Sequence, residues 1–309
     1  MNKKNDRIDI LGAGSVGLFW ASRFREENIP CSLITRPSKS LQQYHTVYLQ
    51  QQSNYQYQRH LFCPANKMSN KIDTLLVCVK AHQIRSALSP IIHLIHSRTT
   101  IILLQNGMGF VEELLLKFPL IRPTQLYIGI NSYGVFKKGP YHIIHQGEGR
   151  CWVGPSYLYK EQDQLKVPKI IKKLIGKGIF SGYDSNISIR QWKKVVVNAV
   201  INPLTAIFQC RNGSLINKDT SDLVNSLIEE CCMIAQHQNI LIEPKEMLKN
   251  VIQVCKATTN NYSSMSQDVL FKRKTEIDYI NGYFIKASQN NMLNSVYNNI
   301  VTTIIKSLT

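Results

Sequence analysis

The segment Gln191-Trp192-Lys193-Lys194-Val195-Val196-Val197-Asn198-Ala199-Val200-Ile201-Asn202-Pro203-Leu204-Thr205 sets one amine and two carboxamides at four-residue intervals inside an apolar run. Wound as an α-helix, it places Lys194, Asn198 and Asn202 on one face. An ammonium can deliver a proton and hold negative charge on oxygen, and neutral carboxamides beside it can orient a small polar molecule. Valines at 195–197 would pack the flanks into a core, so the stripe is poorly suited to a solvated surface. The plainer alternative is that Lys194 reaches water along its own stem and each asparagine finds a local hydrogen bond.

A stripe of this kind needs a scaffold that brings it a reaction partner, and the start of the chain supplies one. Arg7-Ile8-Asp9-Ile10-Leu11 reads as a β-strand, Gly12-Ala13-Gly14-Ser15-Val16-Gly17 follows at once, and the next residues to Phe24 have a helical pattern. This is a Gly-x-Gly-x-x-Gly turn in its required strand–turn–helix context, and it predicts dinucleotide binding. Gly12 permits the tight turn, Gly14 lets a pyrophosphate approach the backbone, and Gly17 lets the helix pack closely; the helix N-terminus offers free amides to the phosphates. The alternative is a glycine turn that serves only helix–strand packing. Residues 31–36 read as the second strand. It ends on Arg36, followed by Pro37, Ser38 and Lys39, where an NAD site would carry a carboxylate. A basic end suits a 2′-phosphate, so NADP (NADPH) is the expected cofactor, unless Arg36 is simply an exposed arginine.

Residues 73–79 and 99–104 are near-continuous apolar runs of the kind buried on both faces of a parallel sheet. Lys80 and Asn106 stand at their carboxyl ends, where ligands lie in open α/β sheets. Residues 44–66, rich in Gln, Tyr and Asn, read as short edge strands and a loop. Residues 127–155, split by glycines, read as antiparallel strands with a solvated hairpin tip at Lys137-Lys138-Gly139-Pro140. Residues 165–175 predict an amphipathic basic surface helix.

Beyond about residue 185 strand signals fade and helical periodicity takes over. The expected organisation is therefore α/β, with a Rossmann-type N-terminal domain over 1–185 and an all-helical C-terminal domain over 186–309. Long helices are expected over 219–239 and 246–257, with Pro244 in a break between them. Ser264 followed by Gln267 is a capping-box pattern, and a hydroxyl at a helix start is also a seat for a carboxylate. Glu276 sits beside cations at 272–274 and, taken alone, would pass for a surface ion pair. The Asn-rich tail ends in a short apolar helix.

Composition narrows the partners. With 309 residues and 44% hydrophobic content the chain can fill two cores. Lys and Arg outnumber Asp and Glu 37 to 20, a net charge of +17 that favours anionic ligands. These cations are scattered and no nucleic-acid signature accompanies them, so nucleic-acid binding is not expected. The eight cysteines form no Cys-x-x-Cys pair and no zinc spacing, so no metal site is expected and they read as buried thiols in a reducing compartment. The apolar stretch after Lys3, Lys4 and Arg7 is short and interrupted by Asp9, so neither a signal peptide nor a membrane span is expected, and the cytoplasm is the expected location.

Taken in order, the glycine turn, Val79-Lys80-Ala81, Gln105-Asn106-Gly107-Met108-Gly109, Lys194 with Asn198 and Asn202-Pro203-Leu204-Thr205-Ala206, Asn212-Gly213, Ser263-Ser264-Met265 and Thr275-Glu276-Ile277-Asp278-Tyr279-Ile280-Asn281-Gly282 resemble the ketopantoate reductase (2-dehydropantoate 2-reductase) family over nearly the whole chain. The resemblance implies an NADP-dependent oxidoreductase that reduces 2-dehydropantoate to pantoate, on the way to pantothenate and coenzyme A. It implies a small keto-acid substrate and a chain working as a monomer or homodimer. It places the general acid on Lys194 and a substrate-hydroxyl carboxylate on Glu276. The amides that hold substrate fall on Asn198, Asn202 and Asn261, with Ser264 toward the substrate carboxylate and Asn212 at a further motif position. Lys80 and Asn106 match residues near the nicotinamide, and Arg36 matches the 2′-phosphate contact. A related 2-keto or 3-hydroxy acid reductase and a non-catalytic NADPH-binding regulator are the alternatives.

Overall fold

The computed structural model describes residues 7–52, 54–156, 158 and 166–309. In chain order these form β1 (Ile8–Leu11), α1 (Ser15–Glu26), β2 (Cys31–Thr35), β3 (Gln43–Gln51), β4 (Asn54–Pro64), β5 (Ile72–Val77), α2 (Ile84–Leu88), β6 (Ile95–Leu103), α3 (Phe110–Lys117), β7 (Leu126–Asn131), β8 (Gly134–Gly139), β9 (His142–Gly147), β10 (Cys151–Pro155), α4 (Lys169–Gly176) and β11 (Gly182–Tyr183). Helices α5 (Ile187–Ile207), α6 (Lys218–His237), α7 (Pro244–Ala257), α8 (Ser264–Leu270), α9 (Asn281–Asn290) and α10 (Val296–Ser307) follow. The architecture is α/β, a Rossmann-type sheet followed by an all-helical region. By their contacts the residues fall into two compact units: one runs to Gln105 and resumes over Val111–Ile187, and the other comprises Asn106–Phe110 with Ser188–Thr309.

In the first unit all the strands belong to one sheet, ordered β11-β10-β7-β6-β5-β1-β2-β4-β3-β9-β8. From β7 to β4 neighbouring strands are parallel. The apolar runs at β1, β5 and β6 form this middle because a strand covered on both faces needs side chains that tolerate burial on each. Ile10, Leu33, Leu76 and Ile102 are fully or almost fully buried together with Phe19, Trp20 and Phe24 of α1.

Three expectations are corrected here. Residues 44–66 form a hairpin of 9- and 11-residue strands, and β4 pairs in parallel with β2 inside the sheet. Its tyrosines at 48 and 57 face outward while Val47 and Leu49 are buried, so the polar outer face hid the length of the strands. The strand β7 is a parallel neighbour of β6, reached through α3, so the stretch read as antiparallel strands opens with a further parallel strand; β7 then pairs antiparallel with β10, and β8 with β9. The tip cation Lys137 is half-buried rather than fully solvated: its Nζ donates to the Ala13 carbonyl at 2.9 Å, because the β8–β9 hairpin folds over α1, with Tyr133 and His145 against Phe19 at 5.0 and 5.1 Å. The basic surface helix begins at Lys169; residue 165 of that expectation lies outside the described residues.

The cysteines are free thiols, five of them buried. Burial holds Cys78 and Cys231 well above the ordinary thiol range and pushes Cys232 up to about 12. Among the described residues no helix is long and apolar enough to cross a membrane, and no group of three His, Cys, Asp or Glu gathers as metal ligands.

In the second unit Pro244 is the first residue of α7 rather than part of a break, a position where the missing N–H has no helical partner to lose. The 21-residue helix α5 runs straight through Pro203. An interior proline has no N–H for the carbonyl four residues back, which here is Ala199. Asn281 supplies the replacement: its buried Nδ2 donates to the Ala199 carbonyl at 2.9 Å and to Asn298 Oδ1 at 2.9 Å. Asn298 Nδ2 in turn donates to Glu230 Oε1 at 2.7 Å. Glu230 also accepts the backbone amides of Tyr297 and Asn298 at 3.0 and 2.8 Å, and so caps α10, whose own N-cap Ser295 makes no side-chain cap. Truncating Asn281 leaves two buried acceptors without their donor, at about 1–3 kcal/mol each. Asn281→Ala is expected to lower stability by about 2 kcal/mol or more in urea unfolding; an unchanged midpoint would show that the proline gap is not braced this way.

Candidate active site

The sheet unit builds a turn for a dinucleotide. Gly12 sits at φ +106°, and a Cβ there would lie 2.6 Å from Val79 Cγ1. At Gly17 an added Cβ would lie 1.9 Å from the Gly12 carbonyl oxygen, so only glycine lets α1 approach β1 this closely. At Gly14 nothing lies within 4 Å, which leaves its outer side open to a ligand backbone. Gly14 is also the N-cap of α1 and offers no side-chain cap, and the first turn contains no acidic residue, so its amides are available to an anion. Gly12 and Gly17 make the tight turn and the close helix packing their spacing predicted, Gly14 leaves open space, and the residues present fit a dinucleotide pyrophosphate across Gly12, Ala13, Gly14, Ser15, Val16 and Gly17.

Arg36 follows β2 directly and is exposed. The loop behind it is tied down by Ser38 and Asn66, which exchange two hydrogen bonds at 2.9 and 3.1 Å. Lys80 follows β5 half-buried, its backbone amide donating to Gln83 Oε1 at 3.3 Å. The strand end before it is fixed by buried Gln105, whose Nε2 reaches the Val77 and Val79 carbonyls at 2.9 and 2.8 Å. No role for Gln105 follows from its position in the motif; only the neighbouring Asn106 carries the strand-end signal.

The other named residues belong to the helical unit. Asn106 is held there because Gln191 donates to the Gly107 carbonyl at 3.2 Å and the Met108 amide donates to the Tyr279 carbonyl at 2.8 Å. Gly107 sits at φ +85°, and a Cβ there would stand 2.1 Å from the Tyr279 oxygen, so the Asn-Gly pair is required by the backbone that approaches it. The result is a direct contact: Asn106 Nδ2 donates to Glu276 Oε2 at 3.3 Å. Glu276 is 8% exposed, which corrects the surface-pair alternative.

Helix α5 carries Lys194 and Asn198 half-exposed and Asn202 buried, on the shared face that the four-residue spacing requires. Toward α7, Lys194 also lines a depression of about 370 Å³ with Val197, Asn250 and Gln253, a depression whose lining does not include Asn198 or Asn202. The capping residue of α8 is Ser263, not Ser264: Ser263 Oγ accepts the Ser266 amide at 3.0 Å, and Ser264 is the exposed first helical residue. Register is decided by Thr205 of α5, whose hydroxyl donates to Ser263 Oγ at 2.8 Å and thereby seats the start of α8 against α5. Sequence reading missed Thr205, Ser263 and Asn281, all of which hold the named residues in place. Asn212 is buried and braces its own turn: it donates from Nδ2 to Thr258 Oγ1 at 2.9 Å and from its backbone amide to the Asn261 carbonyl at 2.9 Å. It thus fixes the turn that presents Asn261.

Two family models match the chain. The family described as Ketopantoate reductase PanE/ApbA matches residues 8–157, and its C-terminal counterpart matches residues 186–309. A 2-dehydropantoate 2-reductase of Salmonella typhi is 30% identical over 92% of this chain and 88% of its own. One from Vibrio cholerae serotype O1 is 29% identical over 97% of both. The fold is shared with a D-mandelate dehydrogenase solved with NADH and anilino(oxo)acetate, at a TM-score of 0.84 and 22% identity over 98% of each chain. The chain belongs to the ketopantoate reductase family of oxidoreductases.

Proposed function

We propose that this protein reduces 2-dehydropantoate to pantoate with NADPH. The observation that carries the reading is the content of the helical unit: an ammonium and two carboxamides on one face of α5, and a buried carboxylate paired with Asn106, in a chain of this family. When bound, the reduced nicotinamide supplies hydride to the C2 ketone. Lys194 hydrogen-bonds the ketone oxygen, stabilises the negative charge that develops on it and delivers the proton that completes the alcohol. Asn198, Asn202 and Asn261 orient the substrate through neutral hydrogen bonds, and the Ser264 hydroxyl donates to its carboxylate. Glu276, with Asn106 as its neighbour, accepts the hydrogen bond of the substrate hydroxyl.

On the sheet unit, the amides after Gly14 hold the pyrophosphate, Lys80 lies near the nicotinamide end, and Arg36 pairs with the 2′-phosphate. The net charge of +17 favours the approach of both anions.

Replacing Lys194 removes the acid but not the cofactor turn. Lys194→Ala is expected to lower kcat by at least ~10²-fold with the NADPH dissociation constant nearly unchanged in a fluorescence titration; near-normal turnover would assign the proton to another group. Arg36→Ala is expected to weaken NADPH by ~10-fold or more, the worth of a charge-assisted contact, and to leave NADH binding as it was. Equal loss for the two cofactors would contradict the 2′-phosphate assignment.

A further inference from the structure

The glycine turn has a neighbour from far along the chain. Lys137 lies on β8, paired with buried Ile143 of β9, and its ammonium donates to the Ala13 carbonyl inside the turn at 2.9 Å. Val135, two residues earlier and so on the same side of the strand, packs against the core beside α1, whereas Lys138 on the opposite side is exposed. The lysine is thus directed at the turn by the hairpin and is not a solvated tip that happens to lie close. Burial pulls its amine below the ordinary lysine range, which is the sign of a cation short of compensation.

Among the described residues no carboxylate pairs with Lys137. Its one hydrogen bond there uses one of three ammonium protons. A half-buried cation without a counter-charge, anchored by a neutral carbonyl at a helix start that contains no acidic residue, has the missing partner of an anion-binding turn.

We propose that Lys137 is a pyrophosphate-binding residue: it is held on the Ala13 carbonyl and turns its remaining N–H donors to the bridging phosphates of the dinucleotide. The inference rests on the dinucleotide reading above and adds a residue to it. Because the pyrophosphate is common to NADPH and NADH, Lys137 raises affinity for both alike, in contrast to Arg36.

Calorimetric titration with ADP-ribose, which contains the pyrophosphate, and with adenosine 2′-phosphate, which does not, separates the possibilities. Lys137→Gln is expected to weaken ADP-ribose by ~10-fold, the worth of one charge-assisted hydrogen bond, and to leave adenosine 2′-phosphate unchanged, while Lys137→Arg keeps ADP-ribose binding. Unchanged ADP-ribose affinity in Lys137→Gln, or equal weakening of both probes, overturns the proposal and leaves the lysine as a clamp on the turn. Wild-type protein that binds neither probe overturns the dinucleotide reading itself. Should Lys137→Gln not fold, the wild-type protein decides. Its ADP-ribose affinity is expected to fall as rising pH deprotonates the amine, at lower pH than for an ordinary lysine, while adenosine 2′-phosphate binding stays level, and a level ADP-ribose profile overturns the assignment.

Discussion

A proline in the interior of α5 leaves the Ala199 carbonyl without its helical donor, and the side chain of Asn281 fills the gap. That carbonyl belongs to the residue after Asn198 and lies three before Asn202, so the bond acts in the middle of the polar stripe. Asn281 is itself held by Asn298, and Asn298 by the buried carboxylate of Glu230. A chain of side-chain amides ending on a charge resists reorientation, because loosening any link exposes a buried acceptor without a partner. The stripe is thereby set by residues that need not touch substrate at all.

The same device recurs. Gln105 satisfies two carbonyls at the end of β5, and Gln191 satisfies Gly107 where Asn106 is carried to Glu276. In each case regular structure stops or is interrupted and a carboxamide from elsewhere bonds the backbone acceptors there, although the Val77 carbonyl also accepts the Leu104 amide. Functional side chains cluster at such interruptions because strand ends and helix breaks are where backbone turns outward. The amides that close them fix the geometry of their neighbours. Glycine serves the complementary need at Gly12, Gly17 and Gly107, where another part of the backbone approaches too closely for any Cβ.

What could be read from the sequence follows from the range of each interaction. The glycine turn and the α5 stripe are patterns within a dozen residues, and both stand as their spacing predicts. The contacts that were not legible join distant residues: Asn281 to Ala199 across 82 positions, Lys137 to Ala13 across 124, Asn106 to Glu276 across 170. Periodicity has no access to these, since they depend on which strand or helix becomes a neighbour. The serine pair at 263 and 264 shows the limit at short range. Either could cap α8 by pattern alone, and the hydroxyl of Thr205, 58 residues upstream of Ser263, selects the first. Glu276 resembles a surface charge because its sequence neighbours are basic, whereas it is buried and bonded to Asn106, 170 positions away in the same unit.

The central claim is that a carboxylate and a polar helix face in the helical unit read one hydroxylated keto acid. Its most direct test compares turnover of 2-dehydropantoate with that of 3,3-dimethyl-2-oxobutanoate, which lacks only the hydroxyl, by following NADPH absorbance in the wild-type protein and in Glu276→Gln. The account predicts a preference of at least ~10²-fold in kcat/KM for the hydroxylated acid, because a site that pairs with a hydroxyl is left unsatisfied without it, and a collapse of that preference in the variant. Equal kcat/KM for the two acids in the wild-type protein would contradict it.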